Sequence, residues 1–513
     1  MNINRAPVAA RGLALAALVA TAVSGPAAQA APGDLDPRFG SDGIVVVDQG
    51  VEEWAYDTVV QPDGKIIGVG NVYGSSTNND ALVFRLNADG TRDQRFGLRT
   101  LDGPGGGEET AYGVALQRDG KIVVAGRTTK NENGAVWRLL PSGARDLTFG
   151  GGDGFVPVDS GGAEYLIDVA VAPDGRIVVA GSTSVGSQAT VYRLTPTGEP
   201  DKTFDTDGAL GLGDPNSRAQ AVAVQRDGKV VVTGQLRPDY GMTVRRLTTS
   251  GAPDPGFGGG DGEATSPLEG DAYDLVLQPD GRIVVAGRAY DPDGSDAWVL
   301  RYTAAGMVDG SFGPGGEGAM VDLGDYEEFG SVALTPRGGI VATGWSEAGY
   351  DPLVVKLDAR GRLDPAFGKG GAVELPGSMQ YGEAIAVQPD GHVLVVGGDE
   401  KRLSSVVVYR LLGDFVPVPA LKCQGRPATI LGTPGRDRLA GTGKADVIVA
   451  LGGADVIRGL GGNDLVCAGD GDDTVLGGPG KDVLRGERGR DRLVGGTGKD
   501  RLAGGPQQDT VAQ

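Results

Sequence analysis

QPDGKIIGVG, residues 61–70, sets a Pro-Asp-Gly turn directly before an aliphatic run, and the same ten-residue pattern returns six more times. The copies read QRDGKIVVAG from Gln117, APDGRIVVAG from Ala172, QRDGKVVVTG from Gln225, QPDGRIVVAG from Gln278, TPRGGIVATG from Thr335 and QPDGHVLVVG from Gln388. Asp-Gly between two β-branched runs is a hairpin signal, because glycine accepts the positive φ such turns need. Only the sixth copy departs, with Arg337-Gly338-Gly339 in place of Asp-Gly-Lys.

Two further landmarks keep phase with this one. An acid-x-x-Phe-Gly turn places Phe39, Phe96, Phe149, Phe204, Phe257, Phe312 and Phe367 at intervals of 53 to 57 residues. A basic residue recurs in an alternating segment, as Arg85, Arg138, Arg193, Arg246, Arg301, Lys356 and Arg410. With the short run after each Phe-Gly turn, every unit supplies four strands and no helical period, which matches a propeller blade. The expected fold of residues 33–412 is therefore a seven-bladed β-propeller. A solenoid would need atypical capping repeats. The phenylalanines are expected to pack between blades and the basic residues to pair with the turn acids. Asp57, Asp168 and Asp274 fall seven residues before a turn glycine. They are expected at a solvated channel rim, the alternative being a hold on a cation or polar ligand. His392 occupies a hairpin-turn position and is expected at the surface. The units resemble the delta-60 repeat family of secreted bacterial proteins, which implies a propeller and no established activity.

From Cys423 the composition changes. Asp437, Asp446, Asp455, Asp464, Asp473, Asp482, Asp491, Asp500 and Asp509 are spaced by nine, with an aliphatic two residues after each. Glycine usually stands two residues before, as Gly453, Gly462 and Gly471 do. Glycines let carbonyl oxygens converge, the aspartate adds a hard anionic oxygen, and Ca²⁺ takes six to eight such ligands. The aliphatic points the other way, into a narrow core, so the segment is expected to be a parallel β-roll. It resembles the RTX, or haemolysin-type, calcium-binding repeat, which implies Ca²⁺ held by Asp437 to Asp500 and by glycine carbonyls. Asp455, Asp464 and Asp473 are the best-formed positions. Lys444 and Gln507 replace turn glycines, and Arg436, Lys481, Arg490 and Lys499 stand directly before their aspartates. A metal-free roll held by Asp–Arg pairs is the alternative.

The division expected is a secretory leader over 1–30, the propeller over 33–412, a linker over 413–430 and the β-roll over 431–513. Arg5 and Arg11, the apolar Leu13 to Val23 and Ala28-Gln29-Ala30 compose a leader cleaved after Ala30, and no later stretch is long enough to span a bilayer. The net charge is −20, unsuited to nucleic acid or acidic lipid. In an oxidising compartment Cys423 and Cys467 are expected to form a disulfide, the alternative being two thiols. One histidine and two cysteines leave no material for His-based triads, and no phosphate-loop or zinc spacing occurs. The expected function is a secreted calcium-ion-binding protein, not an enzyme, whose propeller recognises an extracellular protein or polysaccharide. The alternatives are a structural surface component with the roll as spacer, or a polysaccharide-acting hydrolase or lyase.

Overall fold

The computed structural model describes residues 31–513 except 74–78, 104–106, 130–132, 186–187, 237–240, 292–293, 322–325, 347–351, 377–380, 400–404, 414–421, 433–436 and 513. The leader, most of the first half of the linker, and Arg436 lie outside the described residues.

In the first unit Glu52–Val60, Ile66–Tyr73, Asn79–Leu86 and Leu98–Leu101 pair antiparallel in chain order. Gly64, at φ 82°, closes the Asp-Gly hairpin by donating to Gln61 O at 2.8 Å. Among the described residues five four-stranded sheets are present. The fourth and fifth units instead share one seven-stranded sheet, because Glu263–Leu277 runs on as a single strand. Its first part pairs with Gly241–Leu247 and its second with Ile283–Asp291. Seven separate four-stranded sheets, as the repeat implied, are therefore not what the chain forms.

The last sheet takes one strand from the far end of the repeats. Ile44–Val47 pairs with Ser405–Leu411, and Gln388 Nε2 donates to Gly64 O at 2.9 Å, so first and last units are joined. All seven landmark phenylalanines are fully buried. Phe96 packs in one cluster with residues of the first and second units, Trp137 among them.

Every landmark basic residue meets its turn acid, as the alternation predicted. Arg193 Nε lies 2.8 Å from Asp201 Oδ2, Arg246 Nε 2.6 Å from Asp254 Oδ2 and Lys356 Nζ 2.6 Å from Asp364 Oδ2. The same guanidinium covers the phenylalanine ring, 4.4 Å from its centroid for Arg85 over Phe96. It then donates to a carbonyl of the next unit, Arg85 to Pro141 O and Arg246 to Ala304 O. The hairpin cation joins the same acid, Lys121 to Asp146 at 3.2 Å and Lys229 to Asp254 at 3.0 Å. That explains one correction: His392, expected at the surface, is 5% exposed. It fills the hairpin-cation position, with Nε2 3.0 Å from Asp36. Burial opposes ionisation of Asp93 and Asp146, yet backbone and hydroxyl donors and the flanking cations hold both at about 2.

The C-terminal region is a parallel β-solenoid. Two five-stranded parallel sheets alternate along the chain, so Arg438 lies beside Val456 and Val447 beside Leu465, an offset of eighteen. Ile448, Ile457, Val466, Val475, Leu484 and Leu493 are fully buried in one stack, each worth roughly 1.5–3 kcal/mol of burial. Cys423 and Cys467 form a disulfide across 44 residues of sequence. Closing a loop of that length restricts the unfolded chain. Replacing both cysteines by serine is expected to lower the roll's stability by about 2–4 kcal/mol, read as a lower denaturant midpoint. An unchanged midpoint in the double variant would refute this.

Candidate metal centre

The nine-residue register folds into two columns of aspartates. Oδ1 of each accepts the backbone N–H of the aspartate eighteen residues earlier: Asp464 from Asp446 at 2.9 Å, Asp482 from Asp464 at 2.9 Å and Asp500 from Asp482 at 2.9 Å. On the other edge Asp473 accepts from Asp455 at 2.8 Å and Asp491 from Asp473 at 2.9 Å. Asp437, Asp446 and Asp509 continue the columns.

The second oxygen has no such use. Oδ2 of Asp455, Asp464, Asp473, Asp482, Asp491 and Asp500 is sealed from solvent and reaches no donor. At Asp464, Asp482 and Asp491 it faces the bare Cα of the glycine five residues earlier, where the carbonyl of the next coil also arrives. A Cβ on Gly477 would meet Asp482 Oδ2 at 2.6 Å and Gly495 O at 2.6 Å; one on Gly459 would meet Asp464 Oδ2 at 2.5 Å and Gly477 O at 2.5 Å. A buried carboxylate oxygen and a carbonyl oxygen that converge without a donor suit a hard cation with oxygen ligands. Burial, and then the neighbouring aspartate of the column, push Asp464, Asp482 and Asp491 above the usual carboxylate range and Asp473 to about 6. The residues fit Ca²⁺. Bound there, it would supply charge neutralisation between coils.

The glycines beside Oδ2 of Asp464, Asp482 and Asp491 stand five residues before their aspartates. Gly453, Gly462 and Gly471, two residues before their aspartates, serve the stacking of coils: a Cβ on Gly471 would strike the Gly453 carbonyl. The glycines beside the orphaned oxygens open each nine-residue unit, so the signal lay in the same motif. At Asp455 and Asp473 that opening position is Ala450 and Ala468, both in the buried aliphatic stack. Arg490 turns outward to Asp472 at 3.0 Å and Arg488 to Asp470 at 3.4 Å, all four side chains more than half exposed.

A second acidic group lies in the repeats. A cavity of about 130 Å³ is lined by residues from every unit, among them Tyr56, Tyr112, Asp168, Tyr273 and Glu383. Asp57, Asp168 and Asp274 are half-buried and line this cavity. Each follows a register shift in its strand, which turns its carboxylate toward the next unit. Asp57 accepts from Val114 N at 2.7 Å, Asp168 from Val222 N at 2.7 Å and Asp274 from Val332 N at 2.8 Å. Burial, then like charge or despite these donors, raises Asp57 well above its ordinary value, Asp168 to about 7 and Asp274 to about 6. Burial, then Glu328, raises Glu383 to about 7.

The sign of the consequence follows. These carboxyls bind protons more tightly folded than unfolded, so their contribution is fully present below pH ~4 and is lost as pH rises toward ~7. At saturating calcium the thermal midpoint is expected to be higher at pH 5 than at pH 8. Glu383→Gln should flatten the difference by on the order of 1–3 kcal/mol. A midpoint that rises with pH over that range would contradict the assignment.

Antiparallel repeat sheets of propeller type, followed by a parallel roll with an oxygen-lined ladder, define an all-β repeat protein. The chain carries repeats of two families. The model of the β-propeller domain of unknown function DUF5122 matches residues 61–96, 117–149, 172–204, 225–257 and 278–312. That of the RTX calcium-binding nonapeptide repeat matches 431–466, 440–475 and 476–511. No curated protein matches. Among solved structures, Kuenenia stuttgartiensis hydrazine synthase is similar at 12% identity over 71% of this chain and 97% of its own, with a TM-score of 0.46. Chaetomium thermophilum Sqt1, bound to the N-terminus of ribosomal protein L10, is similar at 12% identity over 71% and 98%, with a TM-score of 0.41. The PQQ-bound aldose sugar dehydrogenase of Streptomyces coelicolor follows at 15% identity over 58% and 94%, with a TM-score of 0.38. The RTX repeats and the disulfide are features typical of extracellular proteins, and among the described residues no helix is long and apolar enough to cross a membrane.

Proposed function

We propose that this is a secreted, calcium-loaded, non-enzymatic binding protein, exported by residues 1–30 with cleavage after Ala30, whose propeller recognises an extracellular protein or polysaccharide. In this reading the seven units close as seven blades, the shared sheet counting as two. The observation that carries calcium binding is the run of buried aspartate oxygens without donors, which at Asp464, Asp482 and Asp491 lie beside a glycine and a converging carbonyl. Recognition is supported by aromatic exposure. Among the described residues Tyr73, Tyr165, Tyr290, Tyr326 and Tyr381 are the exposed tyrosines. All sit near the start of a unit's first strand or at the end of its second, opposite the Asp-Gly hairpins. A groove of about 510 Å³ opens beside Tyr165, walled by Ser182, Ser184, Asn216 and Arg218. Flat rings with a polar tip beside hydroxyl and amide groups suit stacking and hydrogen bonding to sugar or peptide. The cavity aspartates support a structural job over catalysis, since each is engaged by the next unit's backbone.

The test is retention of the full-length protein on immobilised surface polysaccharides and extracellular matrix proteins, with calcium present. Tyr165→Ala, Tyr326→Ala and Tyr381→Ala together should reduce retention at least tenfold without changing the melting curve. Equal retention of parent and variant would remove the tyrosine face as the recognition surface.

A further inference from the structure

Asp80, Asp102 and Glu109 form a cluster of carboxylates where the first unit passes into the second, far in sequence from the roll. One carboxylate oxygen from each lies within 4.8 Å of one from both others. Asp80 is on the strand Asn79–Leu86, Asp102 follows the end of Leu98–Leu101, and Glu109 opens Glu109–Leu116. The group therefore spans two consecutive sheets. Glu109 is 1% exposed. Its Oε1 accepts from Thr128 Oγ1 at 3.0 Å, whereas its Oε2 is sealed from solvent and reaches no donor. Among the described residues none of the three carboxyls takes part in an ion pair.

The comparison within the chain is informative. Glu53, Glu164 and Glu327 occupy the same place in their units, and each also has one buried oxygen without a donor. Glutamate at this place thus belongs to the repeat: Oε1 of Glu53 takes the Gln49 N–H, and Oε1 of Glu164 takes Ser160 and Thr183. Only at Glu109, among the described residues, do two further carboxylates close to within metal-ligand distance of one another. The backbone at Asp102 is pinned there, its carbonyl accepting from Trp137 Nε1 at 3.4 Å and from Arg145 Nη2. Arg145 reaches only the Asp102 carbonyl, so three carboxylates held together without an ion pair gather charge that a buried oxygen cannot tolerate unneutralised. All-oxygen donors and a ligand count open to water suit a hard divalent cation.

We propose that Asp80, Asp102 and Glu109 form a calcium-class cation site that staples the first repeat unit to the second, independent of the roll. Its ligands are one buried and two more accessible carboxylates, completed by water. Affinity belongs with extracellular modules, a Kd on the order of 10⁻⁴–10⁻³ M.

Terbium separates this site from the roll. Residues 422–513 contain no Trp, Tyr or Phe, so terbium in the roll has no aromatic sensitiser, whereas Trp137 adjoins Asp102. Full-length protein titrated with terbium and excited through tryptophan should give sensitised emission that calcium displaces. Asp80→Asn and Glu109→Gln should each lower emission at least tenfold at sub-saturating terbium. Asp464→Asn and Asp482→Asn should leave it unchanged. Glu109→Gln preserves an acceptor for Thr128, and Asp80→Asn removes a less buried group, so one variant remains interpretable if the other misfolds. Emission that persists in both carboxylate variants or in Trp137→Phe, or no sensitised emission from the parent, would overturn the proposal.

Discussion

Removing calcium from the full-length protein with a chelator is expected to abolish the unfolding transition of residues 430–511 while that of the repeats survives. Parallel strands stand about 4.8 Å apart, so successive coils stack carboxylates at that interval. Two unit charges at this separation repel by about 3 kcal/mol at an effective dielectric near 20. Asp446, Asp464, Asp482 and Asp500 repeat the contact along one edge, and Asp455, Asp473 and Asp491 along the other. The aliphatic stack opposing this is narrow, one residue per nine. Each cation site filled to a hundred times its Kd adds about 2.7 kcal/mol to the folded form, so a few sites match the whole stability of an ordinary domain, about 5–15 kcal/mol. Folding of the roll and cation binding are then one equilibrium. Circular dichroism and calorimetry with and without chelator read the result. Asp482→Asn should move the calcium midpoint upward at least several-fold, since it removes one of two convergent oxygens beside Gly477. A roll that melts at one temperature with calcium and with chelator would refute the coupling and leave the aspartates as structural groups.

Much of this architecture could be read from spacing alone, because both halves repeat and a repeat shows its period directly. The 53–57-residue period gave strand count and hairpins, and the nine-residue period gave the aliphatic stack from Ile448 to Leu493. What spacing could not give is direction. Pro267 and Gly270 look like a break between the fourth and fifth units, yet the chain stays extended through them, because pairing to Gly241 on one side and Ala289 on the other holds it. At Asp57, Asp168 and Asp274 alternation alone does not reveal the register shift that swings each toward the neighbouring N–H. His392 was misplaced for a related reason: the hairpin position seemed solvent-facing, but its side chain folds back on the turn acid. In the roll the aspartate ladder was legible, whereas only the fold shows which of a unit's several glycines lies beside Oδ2 of Asp464, Asp482 and Asp491.

Loss of Arg193 should be the most damaging single change in the repeats. Arg193 is 5% exposed, with Nε on Asp201 at 2.8 Å, Nη2 on Thr203 Oγ1 at 2.9 Å and Nη1 on Thr249 O of the next unit at 2.6 Å. The guanidinium also covers Phe204 at 4.6 Å. Arg193→Met keeps most of the apolar stem and deletes the charge. It leaves Asp201, 4% exposed, with Arg176 as its remaining cation at 2.7 Å. It also strips a donor from the Thr249 carbonyl, so the interface between units is cut as well as the pair. Removing one partner of a buried pair costs about 3–5 kcal/mol. Removing both should cost less, because no uncompensated charge is left behind, so Arg193→Met with Asp201→Ala is expected to recover part of the loss. The internal control is Arg490→Met in the roll, whose pair with Asp472 is exposed on both sides and should contribute little to stability. Denaturant midpoints at saturating calcium decide it. If Arg193→Met costs no more than Arg490→Met, the buried relay of arginine, aspartate and next-unit carbonyl is not what binds the units together, and their cohesion rests on the phenylalanine clusters alone.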